Sequence, residues 1–513
     1  MHFKYFVTTP IFYVNAAPHL GHLYSAVLAD AAGRYAALRH GRPVLLSTGT
    51  DEHGLKVRQA AAAAGSSPAR LSAAVSAQYR TVFDTACVQY TRFIRTTEPE
   101  HRRAVQHFWN LLDSRGYIQK GSYAGWYSIP DESFLTPTQV TEEVRGGQKV
   151  TVSLESGHQV TWAEEDNYLF PMSRLRDDLR YWVRNHVTVR PAKFGRLLES
   201  WLDAELPDLS VSRPVSRLDW GVPVPGDDQQ VVYVWLDALV NYLTVSGYPD
   251  QQERWPPDCQ LFGKDILKFH GVYWPALLLA AGLEPPRHLF CHSHWTVDGA
   301  KMSKSLGNVV SAQEALETYS ADGARYFLLR EGVPHSDGNF SRRKAALLLN
   351  AELADTLGNL LGRCSGATVN PEQRRRPAAA VGPGAEGQDL LEEAARLPAA
   401  VAAEYDELCF YRGLEEIQAV LRSTNQFVQQ QEPWVLRRQP ESRDQLHACL
   451  AVSMEVLRVA GILLQPVVPA LAGRLLDKLG VLPDERSWQH AERLADEDRP
   501  LGTGSAVLFK KLR

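Results

Sequence analysis

Cysteine is scarce in this chain, and its few cysteines stand far apart. None of them forms a CxxC pair: they are Cys87, Cys259, Cys291, Cys364, Cys409 and Cys449. A disulfide framework or a cysteine-based zinc knuckle needs clustered cysteines at short spacing. The spacing therefore favours neither, and we expect reduced, inert thiols.

Long apolar runs and a strong charge imbalance are also lacking. No stretch of about eighteen apolar residues is present, which predicts no membrane span. The net charge of −4 over 513 residues does not by itself indicate a polyanionic partner. Because a strand-like run already spans Lys4 to Thr9, we expect no signal or transit peptide in this numbering. This composition is typical of a soluble globular protein with two to four domains.

Two widely separated motifs point to the chemistry. His19-Leu20-Gly21-His22 follows the first strand-like run, and Lys301-Met302-Ser303-Lys304-Ser305 comes far downstream. A helix start of this kind attracts anions, because its unpaired amides and the positive end of its dipole face the ligand. A second loop with two lysines would close over the same phosphates. Together the motifs predict a triphosphate site, whereas the first motif alone is also compatible with ordinary surface histidines.

The pattern along the chain predicts an α/β nucleotide-binding core. Buried strands are predicted for residues 43–47, 231–236, 260–262 and 286–291. Thr50 to Gly54 follow the first of these, at the carboxyl end where doubly wound sheets bind ligands. Residues 10–15 are predicted as a loop. Short strand-like pieces between about 116 and 230 indicate an inserted module rather than more of the sheet. Beyond Phe340 the helical spacing of apolar residues predicts an all-α region.

We therefore divide the chain into five predicted ranges. They are the first half of the core (1–115), the inserted module (116–230), the second half of the core (231–295), the lysine loop and junction (296–345), and a helical domain (346–513).

Five motifs occur in the order and approximate spacing of a known family. They are Phe12 to Asn15 with Pro18 to His22, Gly49 to Gly54, Tyr233 to Ala238, Gly263 to Ile266, and Lys301 to Ser305. The chain thereby resembles the class I aminoacyl-tRNA synthetases and, within them, the methionyl-tRNA synthetases. The stretches 220–228 and 292–298 look most like the mitochondrial enzymes of vertebrates. The resemblance implies a Rossmann-like core split by an inserted connective module and followed by an all-α anticodon-binding domain.

The resemblance also implies a reaction and its partners. L-Methionine would be activated with ATP, which enters as its Mg²⁺ complex, and then transferred to the 3′ end of tRNA(Met). A monomer in the mitochondrial matrix is expected, with a cytoplasmic enzyme as the alternative. Many relatives carry a zinc knuckle in the inserted module. Residues Tyr127 to Ser133 lack the cysteines that it needs, so no structural zinc is expected.

Site residues are transferred from the family by their motif positions. Catalytic roles are implied for His19, Gly21, His22, Lys301 and Lys304. ATP binding is implied for His19, Gly21, His22, Gly263, Asp265 and Lys304. Methionine binding is implied for Ile11, Tyr13, Asp51, Trp235, Ala238, Tyr242, Ile266, His270 and Trp274. Anticodon binding is implied for Asn359, Arg363, Asn425, Pro433 and Trp434. Asp51 would supply the anion for the ammonium group, and the aromatic residues a slot for the thioether.

Other interpretations remain open at this stage. The aromatic residues Trp235 and Trp274 are also typical of plain core, and Pro433-Trp434 of a capped helix with a buried tryptophan. Rival functions are another class I synthetase, for an apolar amino acid or cysteine, and a small-molecule adenylating ligase. A tRNA-binding relative without catalysis is the alternative from outside enzymology. The intact His19, His22, Asp51 and Lys304 argue against it.

Overall fold

A six-stranded parallel sheet forms the centre of the molecule. The computed structural model describes residues 4–129, 132–154, 156–251, 254–302, 307–376, 382–495 and 498–512, without the side chains of Thr138 and Lys301. The strands of the sheet are β1 (Tyr5–Tyr13), β2 (Val44–Asp51), β3 (Arg92–Arg95), β4 (Thr188–Arg190), β5 (Cys259–Gly263) and β6 (His288–His292). Their order across the sheet is β3, β2, β1, β5, β6, β4. The two halves of the predicted core therefore meet where β1 lies beside β5. The carboxyl ends of these two strands are the position expected for a ligand.

Strand β1 is longer than the sequence pattern predicts. It continues to Tyr13, whereas residues 10–13 were predicted as loop. Its register against β2 shifts between Thr8 and Ile11, around Pro10, which has no backbone N–H to donate. The irregular strand brings Tyr13 opposite Asp51 at the carboxyl end of the sheet.

Helices cover the sheet, and one of them replaces a predicted strand. Three of them are α1 (Leu20–His40), α2 (Leu55–Ala63) and α3 (Val234–Ser246); the others are Pro68–Thr85, Pro99–Ser114, Trp274–Ala280 and Ala312–Glu331. The strand predicted for residues 231–236 is wrong in its second half. Asp227–Val232 is a strand of a small separate sheet, and α3 begins at Val234. An apolar run buried on all sides does not distinguish a strand from a buried helix.

The region predicted as an insertion is mostly a set of small antiparallel sheets. A four-stranded sheet contains Gln119–Ser128, Ser133–Leu135, Thr161–Phe170 and Leu209–Ser210. Val140–Arg145 pairs with Gln148–Ser153, and a three-stranded sheet contains Ser212–Pro214, Pro223–Val224 and Asp227–Val232. The range is not wholly separate from the core, however. It also contains β4, an edge strand of only three residues, and the helices Arg176–Asn185 and Ala192–Asp203.

The last third of the described chain is helical, as predicted. After the small sheet Trp295–Val297, Ala300–Lys301 and Gly338–Phe340 come Arg342–Leu349, a π-helical segment Asn350–Gly358, Asn359–Ser365, Gly384–Asp406, Phe410–Gln431, Pro433–Leu436, Arg443–Leu464, Pro469–Lys478 and Trp488–Ala491. The stretch Pro440–Leu464 is long and apolar enough to cross a membrane, yet 94% of its apolar window is buried inside the protein. It is the central core helix of the bundle.

A buried ion pair joins the bundle to the core. The Arg325 guanidinium lies 2.6 Å from the Asp30 carboxylate of α1 and donates to the carbonyls of Pro466 and Val467. Arg325 has no exposed surface. A buried charge of this kind is stable only when its donors are satisfied, so the helix that begins with the HLGH motif and the bundle are held together here.

Candidate active site

A cavity of about 380 Å³ lies at the carboxyl ends of β1 and β5. Its lining combines the first turn of α1, the segment after β6 and the start of the lysine motif. The lining residues are Pro10, Ile11, Phe12, Tyr13, Asn15, His19, Gly21, His22, Ser25, Lys56, Trp235, Gly263, Asp265, Ile266, Phe269, His292, Ser293, His294, Trp295 and Met302. Nine of the residues predicted for ATP or methionine are among them. The structure thus brings the first motif and the lysine motif to one pocket.

The HLGH motif caps α1 with its own histidines. His19 is the N-cap, and its Nδ1 accepts the Gly21 N–H at 3.1 Å. In return His22 Nδ1 accepts the His19 N–H at 3.2 Å, and the two rings stack 3.7 Å apart. No acidic residue lies in the first turn of α1. The helix end therefore keeps its positive field for an anion.

The tautomer of His22 follows from its hydrogen bonds. Its Nδ1 accepts from the His19 N–H and also from the Tyr79 hydroxyl at 3.0 Å. Burial, helped by the neighbouring His19, lowers the pKa of His22 well below its ordinary value. A neutral ring that accepts at Nδ1 carries its proton on Nε2. His22 is thus a neutral hydrogen-bond donor at neutral pH.

Gly21 leaves room between the two motifs. A Cβ added there would lie 3.0 Å from His19 Cε1 and 4.0 Å from the Met302 methyl. The side chain predicted to block the nucleotide would therefore first press on the His19 ring. Lys301 is described only as backbone, in the strand Ala300–Lys301, and Lys304 lies outside the described residues.

The end of β6 and the residues after it contribute two histidines, His292 and His294, that were not among the predicted site residues. His292 Nδ1–H donates to the Ser293 carbonyl at 2.9 Å, and His292 Nε2 lies 2.8 Å from the Ser25 hydroxyl. Burial lowers the pKa of His292 to about 4. His294 Nε2 lies 3.1 Å from Asp265 Oδ1, so His294 pairs with a residue predicted to bind ATP. A search for polar residues at the end of each strand would have found both histidines.

Asp51 does not itself line the cavity, but it is paired with Tyr13, which does, and it has no ion-pair partner among the described residues. Asp51 is 2% exposed, and its Oδ1 has no hydrogen-bond partner among the described residues. The Tyr13 hydroxyl, from the paired position of β1, also lacks one. Burial, with added repulsion from Asp237 and Glu132, raises the pKa of Asp51 well above its usual range. A cationic ligand would relieve both the missing bond and the repulsion.

Asp237 is a buried acid that the sequence analysis did not single out. His53 Nδ1–H donates to Asp237 Oδ2 at 2.7 Å, and His101 Nε2–H donates to Asp237 Oδ1 at 2.9 Å. Burial alone would raise the pKa of Asp237, but the two histidines bring it down to about 2. Asp237 therefore has two hydrogen-bond donors of its own, in contrast to Asp51 Oδ1. It ties α3 to the turn after β2.

The remaining predicted methionine residues form a wall behind the cavity. The Trp235 ring stacks on Phe269 at 3.8 Å, and it stands edge-on to Tyr13 at 6.2 Å. Ala238, Tyr242, His270 and Trp274 do not line the cavity; all four are buried, from 0% to 4% exposed. His270 reaches it through Ile266, whose carbonyl accepts from His270 Nδ1–H at 3.0 Å, and the Tyr242 hydroxyl lies 2.8 Å from His270 Nε2. The structure thus brings the set together in two layers.

The five predicted anticodon residues lie in the helical bundle. Asn359 and Arg363 are exposed on the helix Asn359–Ser365, and Asn359 Nδ2 donates to Asp355 at 3.2 Å. Asn425 Nδ2 donates to the Thr356 carbonyl at 2.9 Å, which ties its helix to the same segment. Pro433 is buried, and Trp434 is half-buried against the core.

Comparison with known proteins agrees with this geometry. The family model described as "tRNA synthetases class I (M)" matches residues 5–365, and the model "Anticodon binding domain of methionyl tRNA ligase" matches residues 377–513. The chain belongs to the methionyl-tRNA synthetase family. It is 50% identical to the mitochondrial methionine–tRNA ligases of Bos taurus and Homo sapiens, over 99% of this chain and 90% of each relative. It also superposes on Mycobacterium tuberculosis methionyl-tRNA synthetase bound by methionyl-adenylate, with a TM-score of 0.93, 37% identity, and coverage of 99% of this chain and 100% of the other.

Family membership confirms the predicted fold class and function. The core is that of a class I methionyl-tRNA synthetase, and the bundle is the anticodon-binding domain of that family. Synthetases of this family are ATP-dependent ligases that form aminoacyl-tRNA. The interpretation of the chain as a small-molecule adenylating ligase, without an anticodon domain, is therefore excluded.

Proposed function

We propose that this chain charges tRNA(Met) with L-methionine for mitochondrial protein synthesis, as a monomer in the mitochondrial matrix. The observation that carries the proposal is the single cavity shared by the HLGH helix start, the methionine-motif residues and Met302. The similarity to vertebrate mitochondrial ligases supports the compartment.

Activation needs no protein nucleophile. The methionine carboxylate attacks the α-phosphorus of ATP, and pyrophosphate leaves. The chain's own part is to align the reactants and to stabilise the charge that develops on the phosphate oxygens. We assign this to the Nε2–H donors of His19 and His22, the N-terminal amides of α1, and the lysines Lys301 and Lys304. Gly21, Gly263 and Asp265 would hold the nucleoside.

Mg²⁺ is assigned to the triphosphate as part of the substrate. Among the described residues, no group of three or more His, Cys, Asp or Glu side chains is placed to hold a metal ion. Asp265, which lines the cavity, is paired with His294, and Asp237 accepts hydrogen bonds from His53 and His101.

We propose that methionine is bound through the charge of its ammonium group and through the shape of its side chain. The uncompensated Asp51 carboxylate would bind the ammonium group beside the Tyr13 hydroxyl. The side chain would lie against Ile11, Trp235 and Ile266, with Ala238, Tyr242, His270 and Trp274 fixing that wall. A thioether suits such an apolar aromatic slot.

Transfer of methionine to tRNA would use both the catalytic half and the helical domain. We propose that the catalytic half, residues 1–345, holds the 3′ end of tRNA(Met). In the helical domain, residues 346–513, Asn359, Arg363, Asn425, Pro433 and Trp434 would bind the anticodon. The exposed Asn359 and Arg363 could form hydrogen bonds with the edges of unpaired bases, and the partly exposed Trp434 could stack on such a base.

Amino-acid-dependent ATP–pyrophosphate exchange tests the proposal. Exchange should depend on L-methionine among the twenty amino acids, and Asp51→Asn should abolish it at ordinary methionine concentrations. Asp166→Asn, at an exposed position of the inserted sheet, is the matched control and should exchange normally. Exchange driven by another amino acid, or by none, would overturn the assignment.

A further inference from the structure

Glu132 is a buried acid of the inserted region that contacts the catalytic core. It stands just before the strand Ser133–Leu135 and is only 2% exposed. Its Oε1 accepts the Lys56 N–H at 2.7 Å, and the carboxylate also accepts the Leu55 N–H. Both donors belong to the first turn of α2. The N-cap of α2, Gly54, makes no side-chain cap, so Glu132 supplies one from a distant part of the chain.

The turn before α2 is shaped to receive this carboxylate. Gly54 has φ +99°, a conformation that L side chains rarely adopt. A Cβ added to Gly54 would lie 2.6 Å from Glu132 Oε2. Glu132 therefore occupies the space that only a glycine leaves open.

This turn also carries Asp51. The backbone N–H of His53 donates to the Asp51 carboxylate, and Gly54 follows directly. The Gly54 N–H donates to the Trp220 carbonyl at 3.2 Å, from another part of the inserted region. A short path of backbone contacts thus joins Glu132 to the Asp51 carboxylate.

We propose, on the basis of the methionine function above, that Glu132 is a positioning residue for the amino acid. It fixes the turn that orients Asp51, and its negative charge strengthens the field that attracts the substrate ammonium. The inserted region is then part of the methionine site, not only a neighbour of it.

The charges around Asp51 set the sign of the electrostatic effect. Asp237, Glu132 and Glu52 repel its ionised form. Asp237 accepts hydrogen bonds from His53 and His101, and Glu52 forms an ion pair with Arg95. Lys56 and Arg213 oppose the charge of Glu132 at longer range, while the Tyr13 and Tyr233 hydroxyls lie nearby and stay neutral. Removing the charge of Glu132 should therefore lower the pKa of Asp51.

Two variants of the full chain separate geometry from charge. Glu132→Ala removes the cap and the charge, while Glu132→Gln keeps an oxygen that accepts from Lys56 N–H. We expect Glu132→Ala to raise the KM for methionine in the exchange reaction about tenfold, with the KM for ATP nearly unchanged. Glu132→Gln should recover part of this loss. In a plot of kcat/KM for methionine against pH, the acid limb is the fall at low pH. Because the pKa of Asp51 should be lower in Glu132→Gln, the acid limb of this variant should lie at lower pH than that of the wild type.

Controls keep the outcomes distinct. Glu164→Gln changes an exposed glutamate of the same inserted sheet and should leave both KM values and the acid limb unchanged. An unchanged KM for methionine in Glu132→Ala, or an acid limb of Glu132→Gln at the wild-type pH, would overturn the inference. If Glu132→Ala does not fold, Glu132→Gln decides by its acid limb. Wild-type exchange that ignores methionine would instead refute the proposed function.

Discussion

The hydroxyl of Tyr242 donates a hydrogen bond to Nε2 of His270, with 2.8 Å between the two atoms. The other ring nitrogen of His270 donates to the Ile266 carbonyl, so both nitrogens are satisfied in a neutral ring. Burial lowers the pKa of His270 to about 4, consistent with that neutral form. Because Ile266 lines the cavity, this pair fixes one wall of the proposed methionine pocket.

Tyr242→Phe should therefore weaken methionine binding. The substitution leaves Nε2 of His270 buried without a donor, which costs about 1–3 kcal/mol. We expect the KM for methionine in ATP–pyrophosphate exchange to rise about tenfold or more, with little change in the KM for ATP. Tyr181→Phe, at an exposed tyrosine, is the control. An equal rise of both KM values would contradict this role.

The sequence could predict the position of residues at which a motif and a strand end coincide. Asp51, Tyr13, His19 and His22 lie where a doubly wound sheet places ligands, and a parallel sheet brings strand ends together whatever the details of the loops. Asp237, by contrast, is partnered by His53 and His101 from other segments. Its role depends on tertiary contacts that carry no local pattern.

The errors in the predicted fold have the same origin. The run from Val231 to Leu236 is apolar throughout, and its period cannot decide between strand and helix. The register shift between β1 and β2 around Pro10 depends on a neighbouring strand that is distant in the sequence, and so does the pairing of the three-residue strand β4. The Glu132 cap on α2 is a similar case, because the acid and the helix belong to different regions of the sequence.

Two buried neutral histidines should make stability depend on pH. Burial lowers the pKa of both His270 and His292 to about 4, against about 6.5 in an unfolded chain. Between these values the unfolded chain binds more protons than the folded protein. The free energy of unfolding should therefore fall as pH drops from 6.5 towards 4, by about 1 kcal/mol per pH unit for each histidine.

Urea unfolding at several pH values checks this. His292→Gln should be less stable at pH 7 but should lose less stability than the wild type between pH 6.5 and 4.5. Asp237 does not interfere in this window, since its pKa of about 2 makes its contribution disappear only in stronger acid. The same pH slope in the variant and the wild type would show that His292 does not titrate as described.

Gly21→Ala should impair nucleotide binding through His19. The new Cβ would lie 3.0 Å from His19 Cε1, closer than most real contacts, so the ring must shift. That shift disturbs the His19–Gly21 hydrogen bond and the stacking on His22. We expect a KM for ATP raised about tenfold or more and a lower kcat, with the KM for methionine much less affected. Gly504→Ala, at an exposed glycine that has no positive φ and no heavy atom within 4 Å of the added Cβ, is the control for general instability. Normal ATP kinetics in Gly21→Ala would exclude a close fit here.

Trp434→Ala should separate the two halves of the reaction. Trp434 lies in the helical bundle, beyond Pro433 and away from the cavity residues, so activation of methionine should proceed nearly as in the wild type. Charging of tRNA(Met) should fall about tenfold to a hundredfold, because stacking on an unpaired base contributes about 1–3 kcal/mol.

Arg363→Ala tests whether Trp434→Ala lowers charging only because it destabilises the helical domain. Trp434 packs partly against the core, whereas Arg363 is exposed and can be truncated without leaving a cavity. Arg363→Ala should likewise lower charging and spare exchange, and Trp162→Ala, at an exposed tryptophan of the inserted sheet, should lower neither by a comparable factor. Equal losses of exchange and charging in both bundle variants would argue that this surface supports folding and does not bind the anticodon.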